Sequence, residues 1–254
     1  MPLFYCPDIA TRHELPEEEA AHALRVLRLG VGDKVQLTDG VGHFYEAIIA
    51  DVSGKHCNVV LLSRTEPAPL WQGHPHLAVA PTKNMDRMEW LAEKATEIGF
   101  DELSLLDCRY SERRVVKTVR LDKILVAAMK QSLKATKPIL HPMMPFDKFV
   151  RQPFIGQKFI AHCYSDNELA AGAENEADRS LSSCKTDFRV SLHNALNSHE
   201  DALVLIGPEG DFSVDEIRLA LSLGFQSVSL SASRLRTETA ALVAIHLMNL
   251  THSI

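Results

Sequence analysis

The sequence is poor in the features that mark membrane, secreted and disulfide-stabilised proteins. Its 254 residues include five cysteines, which are scattered and never form a Cys-x-x-Cys pair. This odd, dispersed set predicts reduced thiols in a cytoplasmic protein and excludes a disulfide framework. No run of about 18 apolar residues occurs, so the sequence predicts no transmembrane helix. The first residues, Met1-Pro2-Leu3-Phe4, lack the basic and apolar regions of a secretory signal.

Closely spaced metal ligands are also scarce. The sequence has twelve histidines, but only His74 and His76 lie close together, and no cysteine or carboxylate set accompanies them. Protein zinc sites are built from three or four such ligands. The sequence alone therefore predicts no metal site.

The net charge of -6 excludes a protein that coats nucleic acid indiscriminately. Basic residues are nevertheless concentrated in residues 109–137, which hold nine of them against two acids, an excess of seven. The nine are Arg109, Arg113, Arg114, Lys117, Arg120, Lys123, Lys130, Lys134 and Lys137. A charge run is most often a solvated face, but segregation of this size also predicts a surface that binds phosphates.

Two loops near the C-terminus carry the most distinctive pattern. The GPEG loop (residues 206–212, IGPEGDF) follows the apolar run 202–206, and the RTET loop (residues 230–240, LSASRLRTETA) follows the run 227–230. Short apolar runs bounded by turn residues predict buried parallel strands. Each loop leads into a predicted helix, the first with a Ser213–Glu216 capping box and the second with Thr237 as candidate cap. The pattern predicts two loops at the carboxyl ends of neighbouring parallel strands, where open α/β sheets bind ligands.

The residue types in these loops suit a ligand that approaches the main chain. Gly207 and Gly210 leave the backbone uncovered, and Pro208 fixes the turn between them. Glu209 and Arg236 place opposite charges where polar chemistry could use them. A tight turn with one surface ion pair would account for either loop alone. The presence of both favours a ligand site, although neither is a P-loop or a G-x-G-x-x-G fingerprint.

Residues 1 to about 66 predict a small β-rich domain. The predicted strands are 34–38, 43–52 and 56–63. A short helix over 17–29 is predicted to carry Arg25 and Arg28 on one face. The stiff run Glu66-Pro67-Ala68-Pro69 is the predicted domain boundary.

The rest of the chain alternates between predicted strands and helices. Apolar residues at helical spacing predict a helix from Met85 to Ile98 that ends at Gly99. Another helix is predicted over residues 119–133. The polar, acidic composition of residues 165–183 predicts an insertion. The last helix, which reaches about Leu250, is apolar nearly all round and is therefore predicted to be buried on every side.

Motifs along the chain resemble the RsmE family of ribosomal RNA uridine-N3 methyltransferases, which are knotted SPOUT enzymes that use S-adenosylmethionine. The most specific are GPEGDFSxxE, from Gly207, and LxxxxLRTETA, from Leu230. Other blocks resemble the family in the same order along the chain. They are HxxRVLR from His22 with Gly32-Asp33, residues 83–99, Ser111-Glu112-Arg113 and Gln131-Ser132. The resemblance covers nearly the whole chain.

The resemblance implies an α/β protein with two domains. Residues 1–68 would form a PUA-like β-barrel that positions RNA. Residues 74–254 would form a SPOUT methyltransferase domain with a parallel sheet, a C-terminal trefoil knot and a homodimer interface. The implied methyl donor is S-adenosylmethionine, with no metal. The implied acceptor is N3 of a uridine in small-subunit (16S) ribosomal RNA, either free or in an assembled subunit.

The same resemblance implies roles for individual residues. Arg236 would position the uracil and stabilise negative charge on its oxygens, and Glu209 or Glu238 would orient Arg236 or accept the N3 proton. Arg236 could instead be a structural ion-pair partner. The implied cofactor-binding residues are Ile206, Gly207, Gly210, Leu230, Ser231, Ser233, Leu235 and Thr237. The implied RNA-binding residues are Arg25, Arg28, Lys83, Arg87, Arg109, Arg113, Lys130 and Lys134.

The chain departs from the family pattern at a few positions. Asp211 stands where glycine is frequent, and Arg234 is shifted by one position from a frequent arginine. Lys130 has the opposite charge to the usual acid, and Lys134 replaces an arginine. Two other functions stay open: a knotted methyltransferase acting on ribose or transfer RNA, and a non-catalytic ribosome-assembly factor. The intact run 236–239 favours an enzyme.

Overall fold

A computed structural model describes residues 1–165, Leu169 and residues 189–252. The predicted insertion at 165–183 lies almost entirely outside the described residues. The chain divides into two compact units, Met1–Pro69 with Lys123–Lys137, and Leu70–Asp122 with Pro138–Ile254. The sequence placed residues 123–137 in the second domain, whereas in the structure they pack with the first compact unit.

The first unit is built on a four-stranded sheet in the order β1-β2-β3-β4. Its strands are β1 (Leu3–Tyr5), β2 (Lys34–Thr38), β3 (Phe44–Ser53) and β4 (His56–Thr65). β3 is antiparallel to β2 and β4, and β1 is parallel to β2. The three predicted strands are confirmed. The short β1 was missed because three residues are too few to show an alternating pattern.

The predicted helix over 17–29 is shorter and less regular than expected. It consists of α1 (Glu17–Ala21) and a π-helical turn, His22–Val26. Arg28 lies beyond its end in the left-handed conformation, with φ 57°. Arg25 and Arg28 are both exposed, but they do not share a helix face as predicted.

Hydrogen bonds explain why residues 123–137 belong to the first unit. The carbonyl of Ala135 accepts from the Thr38 hydroxyl at 2.9 Å and from the Gly42 amide at 3.1 Å. The Lys137 amide donates to the Gly40 carbonyl at 2.8 Å. This segment therefore pairs with the turn that joins β2 to β3, a contact between residues far apart in sequence.

The second unit is built around a parallel sheet in the order β10-β12-β9-β11-β5-β6-β7, and β8 also pairs with β6. Its strands are β5 (Pro75–Val79), β6 (Glu102–Asp107), β7 (Ile139–Leu140), β8 (Met144–Pro145), β9 (Gln157–Ala161), β10 (Val190–Ser191), β11 (Ala202–Ile206) and β12 (Gln226–Ser229). Every residue of β5 and β11 is buried. Such continuous burial is typical of parallel strands covered on both faces.

The strand order corrects one prediction about the two loops. β11 and β12, which precede the GPEG and RTET loops, are not neighbours, because β9 lies between them and pairs with both. The order of strands along the chain does not determine their order in a sheet with crossover connections. All three strands are parallel, so their following loops still emerge at one edge.

Helices flank the strands of the second unit. They are α2 (Met85–Ile98), α3 (Thr118–Gln131, which continues into the first unit), α4 (Phe146–Val150), α5 (Leu192–Ala195), α6 (Val214–Ser222) and α7 (Thr237–His252). The predicted bounds of α2 are confirmed, with Gly99 at its end. The predicted capping box at the start of α6 is also confirmed. Ser213 accepts from the Glu216 amide, and the Glu216 carboxylate accepts from the Ser213 amide at 2.8 Å.

The last helix, α7, packs on α2 and β5. Ala241, Ala244, Ile245 and Met248 are buried, whereas Leu250 is 54% exposed. The sequence predicted burial on every side, but within this single chain the burial is one-sided.

None of the helices in the described residues is long and apolar enough to cross a membrane. The four described cysteines, Cys6, Cys57, Cys108 and Cys163, are free thiols. Cys184 lies outside the described residues.

Candidate functional site

The GPEG loop leaves β11 and is closely packed. The Asp211 amide donates to the Pro208 carbonyl at 2.9 Å, and the buried Phe212 ring lies 5.3 Å from the ring of Phe146. A Cβ on Gly207 would lie 3.1 Å from the Phe212 backbone nitrogen, and one on Gly210 would lie 3.1 Å from the Cβ of Tyr110. A side chain at either position would therefore require its neighbours to shift.

Asp211 fixes the GPEG loop to the loop that follows β9. Its carboxylate accepts from the Cys163 amide at 2.8 Å and from the Phe212 amide at 2.7 Å. Its φ is 67°, a left-handed conformation that glycine adopts freely and aspartate tolerates better than most residues. This conformation explains why glycine is frequent here in the family that the sequence resembles. Sequence reasoning noted the substitution but did not predict the carboxylate bond.

A hydrogen bond joins the RTET loop to the GPEG loop. The buried Thr237 hydroxyl donates to the buried Gly207 carbonyl at 3.1 Å. The predicted role of Thr237 as helix cap is therefore wrong: Thr237 is the first residue of α7, and its hydroxyl binds a different loop. The two loops come together at the sheet edge although β9 separates their strands.

The RTET loop is more exposed than the GPEG loop. Residues 231–234 are exposed, and the bond within this stretch runs from the Ser233 amide to the Ser231 hydroxyl at 3.2 Å. The amides of Ser231 and Leu235 donate to no other described residue. These uncovered amides can donate hydrogen bonds to a polar ligand at this edge of the sheet.

Glu209 anchors a third loop, which follows β5. Its carboxylate accepts from the Lys83 amide at 2.9 Å. The Arg113 guanidinium donates to the Lys83 carbonyl at 2.6 Å, which ties the loop after β6 to the same segment. The Lys83 ammonium lies 2.8 Å from Glu112, and this contact raises the Lys83 pKa. Three loops are thus bound together around Glu209.

Arg236 is exposed, and its side chain has no partner in the part of the chain that the structure describes. Its guanidinium makes no hydrogen bond or ion pair with any residue that the structure describes. Among the described residues, no acid forms an ion pair with Arg236, and neither Glu209 nor Glu238 bonds to this side chain.

Glu238, two positions further along, is buried in the first turn of α7. One of its carboxylate oxygens lies 3.4 Å from the Arg87 guanidinium. The other oxygen is buried with no hydrogen-bond donor among the described residues. Buried acceptors without donors are rare and often mark functional groups.

The residues predicted to bind RNA differ in how accessible they are. Arg25, Arg28, Lys83 and Arg109 are exposed. Arg109 lies 3.9 Å from Asp215 and lines a pocket of about 370 Å³ beside the end of β6. Arg87 and Arg113 are partly buried. Arg87 already pairs with Glu238, and Arg113 already donates to the Lys83 carbonyl.

Two other residues predicted to bind RNA, Lys130 and Lys134, are less accessible, and their role in RNA binding stays a prediction. The Lys130 ammonium is paired with Glu19 at 2.5 Å, and Lys134 is only 8% exposed. At least five of the nine basic residues in 109–137 pair with acids among the described residues. The pairs are Arg109–Asp215, Arg114–Asp107, Arg120–Glu89, Lys123–Glu18 and Lys130–Glu19. The local excess in the sequence is therefore largely offset by acids from other segments.

Family models match both units of the chain. A model of the RNA methyltransferase domain matches residues 70–249, which contain both loops. A model of the RNA methyltransferase PUA domain matches residues 15–62.

Individual relatives are similar over nearly the whole chain. The ribosomal RNA small subunit methyltransferase E of Rickettsia conorii is 30% identical over 234 residues, which are 91% of this chain and 87% of that protein. A crystal structure described as a "probable rRNA-methyltransferase" from Porphyromonas gingivalis is 40% identical with a TM-score of 0.86, covering 99% and 98% of the two chains. The ribosomal RNA small subunit methyltransferase E of Neisseria gonorrhoeae, bound to S-adenosylmethionine, is 25% identical with a TM-score of 0.77, covering 98% and 97%.

Proposed function

The chain belongs to the RNA methyltransferase domain family, and from that premise we propose that it transfers a methyl group from S-adenosylmethionine to N3 of a uridine in small-subunit ribosomal RNA. The observation that carries the proposal is the 3.1 Å bond from Thr237 to Gly207. It holds the glycine-lined GPEG loop beside the exposed RTET loop, with the unpaired Arg236 next in sequence.

The main chain of the two loops binds the cofactor in this proposal. The contributing residues are Ile206, Gly207, Gly210, Leu230, Ser231, Ser233 and Leu235, with Thr237 holding the Gly207 carbonyl in place. When bound, S-adenosylmethionine supplies a methyl group that its sulfonium already activates. The chain's task is therefore to align the donor and acceptor within reacting distance.

Arg236 and one of two glutamates act on the uracil. Neutral N3 is a poor nucleophile, so its proton must leave and negative charge must spread onto the uracil oxygens. The free guanidinium of Arg236 stabilises that charge. Glu209 or Glu238 accepts the proton: the Lys83 amide occupies only Oε1 of Glu209, and Oε2 of Glu238 has no hydrogen-bond donor among the described residues.

RNA is held by the exposed cations of both units. Arg25 and Arg28 contact RNA from the PUA-like unit, and Lys83 and Arg109 contact it from the methyltransferase unit. The target uridine is bound unpaired or flipped, because N3 is hidden in a base pair.

The proposal extends to assembly and location. The C-terminal segment forms a trefoil knot, the chain acts as a homodimer through α7, and the enzyme works in the cytoplasm, where its substrate is. Support for the dimer comes from the partly exposed apolar side of α7, which includes Leu250. Sedimentation should give a dimer mass, and Leu250→Glu should lower it. A monomeric wild-type protein would contradict the dimer.

Nucleoside mass spectrometry of ribosomal RNA from cells that lack this gene tests the function. We expect N3-methyluridine in small-subunit RNA to disappear, to return with the wild-type gene, and to stay absent with Arg236→Ala. Unchanged N3-methyluridine in the deletion strain would contradict the proposal. Loss of a ribose or transfer RNA methyl group instead would indicate a different acceptor.

A further inference from the structure

Two histidines and a glutamate meet at the sheet edge opposite the GPEG and RTET loops. His76 lies in β5, Glu102 opens β6, and His141 follows β7. His76 and Glu102 are register partners on adjacent strands, and the His141 amide donates to the Leu103 carbonyl at 2.8 Å. One nitrogen or oxygen from each side chain lies within 4.8 Å of the other two.

Distances within this cluster show which atoms converge. Oε2 of Glu102 lies 2.5 Å from Nε2 of His141 and 3.8 Å from Nδ1 of His76. Oε1 of the same carboxylate lies 2.7 Å from Nε2 of His74. Nε2 of His76 lies 2.9 Å from the Ser104 hydroxyl. His74 and Ser104 therefore orient the cluster and leave Nδ1 of His76 and Oε2 of Glu102 facing the same gap.

We propose that His76, Glu102 and His141 bind one divalent transition-metal ion, for which Zn²⁺ is the best fit. Imidazole nitrogens with one carboxylate oxygen are a donor set that zinc accepts, with a fourth position left to solvent. The His141 side chain is 40% exposed, so an ion can reach the site.

The geometry needs only a small adjustment to hold the ion. Zinc–ligand bonds of about 2.0–2.1 Å place ligand atoms roughly 3.3 Å apart in a tetrahedron. The His141–Glu102 contact must therefore lengthen, and the His76–Glu102 contact must shorten, each by less than about 1 Å. The ligand atoms of His76 and His141 lie within 4.8 Å of each other and must approach by at most about 1.5 Å. Three adjacent strands carry the ligands, so the backbone is already arranged and only side chains need to move.

The site is separate from the proposed methyltransferase site. His76 and Glu102 lie near the starts of their strands, whereas the GPEG and RTET loops follow the ends of theirs. The bound ion would join β5, β6 and the start of the segment after β7. Sequence reasoning predicted no metal because the three ligands are spread over residues 76–141.

Zinc binding to the full chain, purified without a histidine tag and freed of metal by a chelator, tests the proposal. Competition with a chromophoric chelator should show one Zn²⁺ per chain. Co²⁺ bound in place of Zn²⁺ should give visible absorption bands. Mg²⁺ should not displace Zn²⁺ from the protein. Glu102→Gln and His141→Ala should weaken zinc binding at least about 100-fold, and Ser104→Ala about 10- to 100-fold. His193→Ala removes an exposed histidine of the same unit and should leave binding unchanged.

Two results would overturn the proposal. One is the absence of stoichiometric zinc on the wild-type chain, which would make the cluster a hydrogen-bonded histidine group only. The other is zinc binding by His141→Ala that equals the wild type. His141 is partly exposed, so this variant keeps the test valid even if Glu102→Gln does not fold. None of these readouts depends on methyl transfer.

Discussion

The GPEG loop and the RTET loop lie at the same sheet edge but are held in opposite ways. The GPEG loop has a turn bond, a left-handed aspartate bonded to the loop after β9, and a glutamate bonded to the loop after β5. The RTET loop is exposed from Ser231 to Arg234 and is tied to its surroundings at its end, through Thr237.

This difference predicts that substitutions in the two loops affect different properties of the protein. Changes in the GPEG loop should lower the free energy of unfolding, because they remove packing and buried hydrogen bonds. In the RTET loop, replacing Arg236 should leave folding intact and alter methyl transfer, because its guanidinium bonds to no residue that the structure describes. The following substitutions test this contrast.

Arg236→Ala should have the largest effect on activity. We expect the methylation rate on small subunits to fall about 10²- to 10³-fold, as when one charge-stabilising donor is removed from an active site. The free energy of unfolding should change by less than about 0.5 kcal/mol, because the side chain is exposed and unpaired. Arg234→Ala, on the same exposed loop, is the control and should lose little activity. Equal losses in both variants would mean that loop charge, not the position of Arg236, matters.

Asp211→Ala should have the largest effect on stability. It removes a charge-assisted hydrogen bond to the Cys163 amide and places alanine at φ 67°, which together should cost about 3 kcal/mol. Urea denaturation measures the change. Asp211→Gly removes the same bond but suits the backbone, so it should cost about 1 kcal/mol less than alanine. An equal loss of unfolding free energy in both variants would show that the left-handed conformation of residue 211 does not add to the cost of the alanine substitution.

Gly207→Ala tests the close packing of the GPEG loop. A Cβ would approach the Phe212 nitrogen and the Asp211 carbonyl carbon at 3.1 and 3.2 Å, so the backbone must shift. We expect a loss of about 1–2 kcal/mol in unfolding free energy. The matched change in the RTET loop, Ala232→Gly, should stay within about 0.5 kcal/mol of the wild type. A larger loss of unfolding free energy for Ala232→Gly than for Gly207→Ala would contradict the conclusion that the GPEG loop is the more closely packed of the two.

Thr237→Val tests the connection between the two loops and should have the smallest effect on stability among the changes that disturb the GPEG loop. It keeps the side-chain shape but removes the bond to the Gly207 carbonyl, at a cost of about 1 kcal/mol. The Kd for S-adenosylmethionine, measured by calorimetry, should rise because the loops lose their link. Thr237→Ser keeps the hydroxyl and should bind the cofactor nearly as the wild type does. Unchanged binding by Thr237→Val would show that the bond does not shape the site.

Local patterns predicted the fold well where neighbouring residues determine the structure. The Ser213–Glu216 capping box, the end of α2 at Gly99 and the bounds of β11 were all predicted, because each depends on residues a few positions apart. The π-helical turn that displaces Arg28 was not predicted, since its residues also suit an ordinary helix.

Long-range contacts explain most of the errors. The sequence could not show that β9 separates β11 from β12, or that residues 123–137 join the first unit. It could not show that Glu18, Glu19 and Glu89 neutralise the basic run, because charge along a chain does not reveal partners in space. The site was predicted through its motifs, but the bonds of Thr237, Asp211 and Glu209 needed the structure.

Calorimetric titration with S-adenosylmethionine tests most directly whether the two loops form one cofactor site. We expect wild-type protein to bind one molecule per chain, Arg236→Ala to bind with a Kd within about threefold of the wild type, and Gly207→Ala to bind at least about tenfold more weakly, a loss of roughly 1.4 kcal/mol. No heat of binding with the wild type, or equal binding by Gly207→Ala, would contradict the account.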